Sequence, residues 1–114
     1  MRTIIAGGRD FLDYSLLTHT MLTLEFEVTE IVSGKARGAD RLGEMWAEVS
    51  NTPIKLFPAD WQQHGKSAGI LRNIKMARYA DALIAFWDGE SRGTKHMIDT
   101  AYKVTLKNIL VIRY

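Results

Sequence analysis

Asp81-Ala82-Leu83-Ile84-Ala85-Phe86-Trp87 is apolar at every position after the aspartate. An extended segment turns alternate side chains to opposite faces, so here neither face can meet water. A six-residue run is too short for the roughly 20 apolar residues of a membrane-spanning helix and has the length of a strand. A strand apolar on both faces belongs in the middle of a parallel sheet with helices on each side. The flanking sequence supplies them. Residues 67–79 read as a helix, and after the loop 88–93 a last helix runs through Met97, Ala101 and Val104, before Ile109-Leu110-Val111-Ile112 forms the final strand.

The first half repeats the pattern. Thr3-Ile4-Ile5-Ala6 ends at Gly7-Gly8 and leads to helical spacing through Leu17, Met21 and Leu24. Glu30-Ile31-Val32-Ser33 ends at Gly34, and residues 39–50 place Leu42, Met45, Trp46 and Val49 on one helical face. Pro53-Ile54-Lys55-Leu56-Phe57 is a further strand, followed by a polar stretch, 58–66, with no regular pattern. Five strands alternating with four helices predict an α/β fold of one domain, 1–114. It is a doubly wound parallel sheet with right-handed crossovers, strand order 3-2-1-4-5 and helices on both faces. Ligands of such sheets bind beyond the strands' carboxyl ends, where the order reverses, here between the first and fourth strands.

Composition narrows the function classes. Hydrophobic residues make up 46% and charged residues 25% of the 114, the balance of a soluble globular protein, and a cytoplasmic location is expected. The absence of cysteine excludes thiol catalysis and thiolate zinc sites. No set of His, Asp and Glu shows metal-ligand spacing, and no cofactor is called for. The net charge of +2 is too small to imply nucleic acid, but its distribution is uneven. Residues 1–57 hold 6 basic and 8 acidic residues, and residues 58–114 hold 9 and 5, so a site built by the second half favours anions.

Three strand ends carry glycine together with arginine: Gly7-Gly8-Arg9, Ser33-Gly34-Lys35-Ala36-Arg37-Gly38-Ala39-Asp40, and Gly89-Glu90-Ser91-Arg92-Gly93-Thr94. Glycine lets a ligand approach the backbone, a following helix N-terminus offers free N–H groups, and arginine supplies counter-charge, so the set suits phosphate. None of the loops is a Walker or dinucleotide motif. Ser91, Asp10 and Asp40 are equally candidates for helix N-caps.

These stretches resemble the SLOG superfamily, which includes DprA and the cytokinin-activating LOG proteins. Ser33 to Asp40 matches its Ser-Gly-x-Ala-Arg-Gly-x-Asp signature. Ala6-Gly7-Gly8-Arg9-Asp10-Phe11, Phe57-Pro58-Ala59-Asp60-Trp61, His64-Gly65-Lys66-Ser67-Ala68-Gly69, Arg72-Asn73 and the run from Ala85 to Thr94 are similar to its small YspA/YpsA-related branch. The resemblance implies a Rossmann-like domain binding a nucleotide or nucleotide derivative, as a sensor or sequestering protein. It also implies that Arg72 stands where LOG hydrolases carry a catalytic arginine, and that Gly93-Thr94 match their phosphate-binding pair. The LOG glutamate falls on Met97, which cannot act as acid or base, leaving Asp60 or Asp99 to supply a carboxylate.

The candidate ligand-binding residues are therefore Gly7, Gly8, Arg9, Ser33, Gly34, Arg37, Gly38, Asp40, Gly89, Ser91, Arg92, Gly93 and Thr94, with Lys66 and Arg72 closing over the phosphate. Trp61 and Trp87 are candidates to stack on a base, and Asn73 to contact ribose. A hydrolase of an N-glycosidic or phosphate bond is the alternative, with Asp60, His64 and Arg72 in the catalytic roles. A binder of single-stranded nucleic acid ranks third. A homodimer is expected.

Overall fold

A computed structural model describes residues 1–114. The apolar run forms β4 (Ala82–Trp87), which pairs in parallel with β1 (Arg2–Gly7) on one side and β5 (Asn108–Arg113) on the other. With β2 (Glu30–Ser33) and β3 (Ile54–Leu56) these strands make one five-stranded parallel sheet, order β3-β2-β1-β4-β5. The fold is the doubly wound α/β arrangement that the sequence predicts.

Side-chain alternation divides the core into two layers. On one face Ile4, Ala6, Leu83 and Ala85 meet Met76 and Ala77 of α4 (Ala68–Tyr79) and Met97 and Ala101 of α5 (Arg92–Lys103). On the other, Ile5, Ile31, Ile84 and Phe86 meet Leu17 and Met21 of α1 (Tyr14–Leu22) and Leu42 and Ala47 of α2 (Ala39–Ser50). Each large buried side chain contributes about 1.5–3 kcal/mol. No helix is long and apolar enough to cross a membrane.

Three local readings are corrected. The stretch 58–66 is not irregular: Asp60 caps a short helix, α3 (Trp61–His64), by accepting from Gln63 N–H at 3.0 Å, and a 3-10 turn, Gly65–Ser67, follows. Neither Asp10 nor Asp40 is an N-cap. Asp13 caps α1 by accepting from Leu16 N–H at 3.0 Å, while α2 starts from Gly38 and holds Asp40 inside its first turn. The buried face of α2 centres on Leu42, Gly43 and Ala47, leaving Val49 exposed. The cause is a close approach of helix to sheet: a methyl group on Gly43 would sit 2.9 Å from Ile5 Cβ. Among the helix-entry residues, Ser91 does cap α5, its hydroxyl 3.4 Å from Thr94 N.

The last residues brace the loop after β1. Tyr114 donates its hydroxyl to Asp10 Oδ1 at 2.8 Å and packs edge-on to Phe11, which itself stacks on Phe86 at 4.5 Å.

Candidate functional site

The switch between β1 and β4 opens a cleft of about 590 Å³ at the carboxyl edge of the sheet. Its walls come from the loop after β1, the start of α2, α3 with the turn after it, the first half of α4, and the first turn of α5. Gly7, Gly8 and Arg9 line one side, and Ser91, Arg92, Gly93 and Thr94 the facing side. Asp40, Trp61, Lys66, Arg72 and Asn73 complete the predicted residues that the fold gathers there.

The other predicted residues lie elsewhere. Ser33 is buried, its hydroxyl donating to Glu44 Oε2 at 2.7 Å and accepting from Lys35 N–H. Arg37 is exposed outside the cleft. Gly38, at φ +76°, sits against the backbone of Gly8 and Arg9, where any Cβ would collide. Gly89, at φ +89°, lies against Arg113. Trp87 donates its ring N–H to Ser91 O at 3.1 Å, so it braces the loop before α5. Asp60 and His64 face a separate hollow of about 310 Å³ beside α4, with Lys75 and the other side of Arg72.

Arg72 is the hub of the site. Its Nη1 donates to Gly34 O, and its Nε donates to Asn73 Oδ1 at 3.1 Å. Asn73 is buried and spends its amide on Gly93 O at 3.3 Å and His96 Nδ1 at 3.2 Å, tying Arg72 to the start of α5. Burial lowers the Arg72 pKa, with Arg9 adding to the effect and Asp40 opposing it. Asp40 is buried too, and desolvation pushes its carboxyl up to about 6 despite the Ala36 N–H and Arg72. Gly34 makes their meeting possible: a methyl group there would sit 2.5 Å from Arg72 Nη1 and 2.9 Å from Asp40 Oδ2.

The cleft's cations are available. The ion pairs of the protein are Arg2–Asp81, Arg41 with Glu44 and Glu48, and Lys95–Asp99, none involving Arg9, Lys66, Arg72 or Arg92. Its acids are largely occupied by internal bonds. Asp10 accepts from Tyr114, and Asp88 accepts from the Glu90 and Ser91 N–H groups at 2.8 Å each, which hold its carboxyl below the usual range. No three His, Asp or Glu side chains gather as a cation cage. Met97, where the resemblance puts the LOG glutamate, is 1% exposed and lines the cleft, while Asp99 is exposed and paired with Lys95 at 2.8 Å.

The family model for the YspA, cpYpsA-related SLOG family matches residues 1–64. The chain belongs to this family. A relative within reach of sequence comparison is the "Gene 61 protein" of Mycobacterium phage D29, 47% identical over 79 residues. That match takes in 64% of this chain and 63% of the phage protein, so the chain spans less than two-thirds of its relative's length. No solved structure matches. SLOG membership points to nucleotide-related binding or processing and names no ligand. The cleft itself also takes in His96 and Asp88, which were not among the predicted residues. The signal for His96 was its place three residues after Gly93, one helical turn along the same face. Asp88 carried none, because its position depends on the turn it makes with Ser91.

Proposed function

We propose that the cleft binds a nucleotide or nucleotide-derived ligand, with its phosphate at the first turn of α5 and its base against Trp61. One observation carries this reading. Gly93 lines the cleft in the second position of α5, and beyond its chain neighbours and the backbone of its own helical turn a Cβ there would meet nothing within 4 Å. The fold has no use for a glycine at that point, and the first N–H groups of a helix have no acceptor within it. An anion seated on that backbone would use both the open space and the free N–H groups. Arg9, Arg72, Arg92 and Lys66 border the same space and supply counter-charge. Trp61, 53% exposed beside Gly69, offers a stacking face at the other end.

Binding without turnover, as a sensor or sequestering protein, fits this geometry better than LOG-type hydrolysis. The position of the LOG glutamate is a buried methionine, and Asp99, Asp60 and His64 do not line the cleft. A thermal-shift panel of mono-, di- and triphosphate nucleotides, ADP-ribose, NAD and single-stranded DNA tests the reading. A ligand at about 100 times its Kd stabilises by about 2.7 kcal/mol, and Arg72→Ala abolishes that shift. A shift from DNA alone, or one unchanged in Arg72→Ala, refutes the proposal.

A further inference from the structure

Asp40 keeps only 6% of its surface exposed, and that remnant lines the cleft. Its Oδ2 accepts from Ala36 N–H at 3.3 Å. The place of a Cβ on Gly34 lies 2.9 Å from that oxygen and 2.5 Å from Arg72 Nη1, so the two side chains reach the same face of the glycine. The two side chains converge without forming an ion pair, since Arg72 spends Nη1 on the Gly34 carbonyl and Nε on Asn73. Arg72 Nη2 has no protein acceptor and lies near Gly69, on the cleft wall. Both side chains line the cleft and both reach the space over Gly34, so a ligand oxygen bound by the guanidinium there lies within reach of the Asp40 carboxyl.

An ionised carboxylate is acceptor-only and would repel that oxygen, whereas a protonated one donates to it. We propose that Asp40 enters the ligand complex as a neutral carboxylic acid and donates a hydrogen bond to the anionic oxygen held by Arg72. This rests on reading the cleft as a phosphate site. The ligand class is one whose phosphoryl or sulfuryl oxygens stay ionised at neutral pH, so the proton comes from solvent and goes to Asp40.

The surroundings already lean that way. From its own helix Glu44 adds negative charge and favours the neutral acid. Arg72 from α4 and the Ala36 and Gly34 N–H groups favour the anion, and Arg9 from the loop after β1 adds positive charge beside Arg72. Desolvation outweighs them and holds the carboxyl at about 6. An anion arriving beside it drives the same group further toward the protonated form.

The test is the affinity of the full chain for ADP-ribose and for sulfate, neither of which titrates between about pH 5.5 and 7.5. If only the neutral acid binds, a group titrating near 6 makes both affinities about 25-fold tighter at the lower pH. Asp10, Asp88 and His96 also line the cleft, and Asp40→Asn separates the contribution of Asp40 from any other. That variant loses the pH dependence and binds at pH 7.5 about as tightly as wild type at pH 5.5. A wild-type change below about threefold, or a variant that keeps the slope, overturns the assignment. If neither probe binds at either pH, the phosphate reading itself falls, and this inference with it. Should the variant fail to fold, the carboxyl carbon shift of Asp40 in the wild-type protein reports the same quantity. Its midpoint must rise by at least about one pH unit at saturating sulfate, and an unmoved midpoint overturns the proposal.

Discussion

Gly93→Ala should make the protein more stable and its ligand complex weaker. In a helix interior, glycine is about 0.5–1 kcal/mol less stable than alanine, because the unfolded chain has more freedom to lose. Gly93 is the second residue of α5, where the effect should lie toward the lower end of that range. Beyond the chain neighbours and the backbone of its own helical turn, nothing lies within 4 Å of the added methyl, so overpacking subtracts nothing. With an unfolding entropy of about 2.1 cal/mol/K per residue, a gain of about 0.5–1 kcal/mol raises the Tm of a 114-residue chain by about 2–4 °C. In the complex, the methyl occupies the place from which an anion reaches the backbone N–H groups at about 2.9 Å. Affinity should fall at least about tenfold, about 1.4 kcal/mol. Gly7→Ala in the same cleft is the control of opposite sign. Its methyl would lie 2.8 Å from Ala39 Cβ, so it should cost about 1–3 kcal/mol with no ligand present. Scanning fluorimetry of the free proteins and calorimetric titration with the nucleotide that gives the largest shift measure both effects. A lower Tm for free Gly93→Ala, or wild-type affinity in that variant, would refute the reasoning.

Trp61→Ala removes a half-exposed ring, so the free protein should stay within about 0.5 kcal/mol of wild type while nucleotide affinity drops by about 1–3 kcal/mol. Equal affinities for an adenine nucleotide would exclude stacking. Asp40 is raised from 3.8 to about 6, so it keeps its proton in the folded state where the unfolded chain has lost it; this contribution to stability is complete below about pH 4 and lost as pH rises through 6. Asp40→Asn, with no such proton, should gain on wild type by on the order of 2–3 kcal/mol between about pH 4 and 8 in urea unfolding, and a constant gap would contradict the buried titration. Tyr114→Phe deletes the bond to Asp10 and should cost about 1 kcal/mol, with faster amide exchange at Gly8 and Phe11. Unchanged exchange there would mean that the loop holds itself.

The sheet was legible because its signals are local. β4 is apolar on both faces, and an interior place in the sheet, here between β1 and β5, covers them. α2 was less legible, because the residue that sets its contact with the sheet is Gly43, and glycine carries no hydrophobic signal. Periodicity therefore gave weight to Met45 and Val49, while the helix rotated to bring its smallest residue against Ile5. The α3 turn was hidden for a similar reason. It is four residues long, too short for a period to show, and only the cap at Asp60 marks it.

The site was legible in its arginines more than in its glycines. A glycine before a helix has several uses that look alike in sequence, and packing separates them. Gly8 yields to Tyr114 and Asp10, Gly38 to the backbone of Gly8 and Arg9, and Gly89 to Arg113. Gly34 yields to Arg72, 38 residues away along the chain, and to Asp40. The signature from Ser33 to Asp40 thus spends its glycines on internal contacts: Ala39 N–H, at the start of α2, already bonds Gly8 O at 3.3 Å, and Asp40 fills the helix end with a carboxyl group. That stretch builds the floor on which Arg72 and Asp40 meet. With an anion seated on the first turn of α5, as proposed, the signature takes part in recognition through Asp40 and through the arginine whose place Gly34 keeps free.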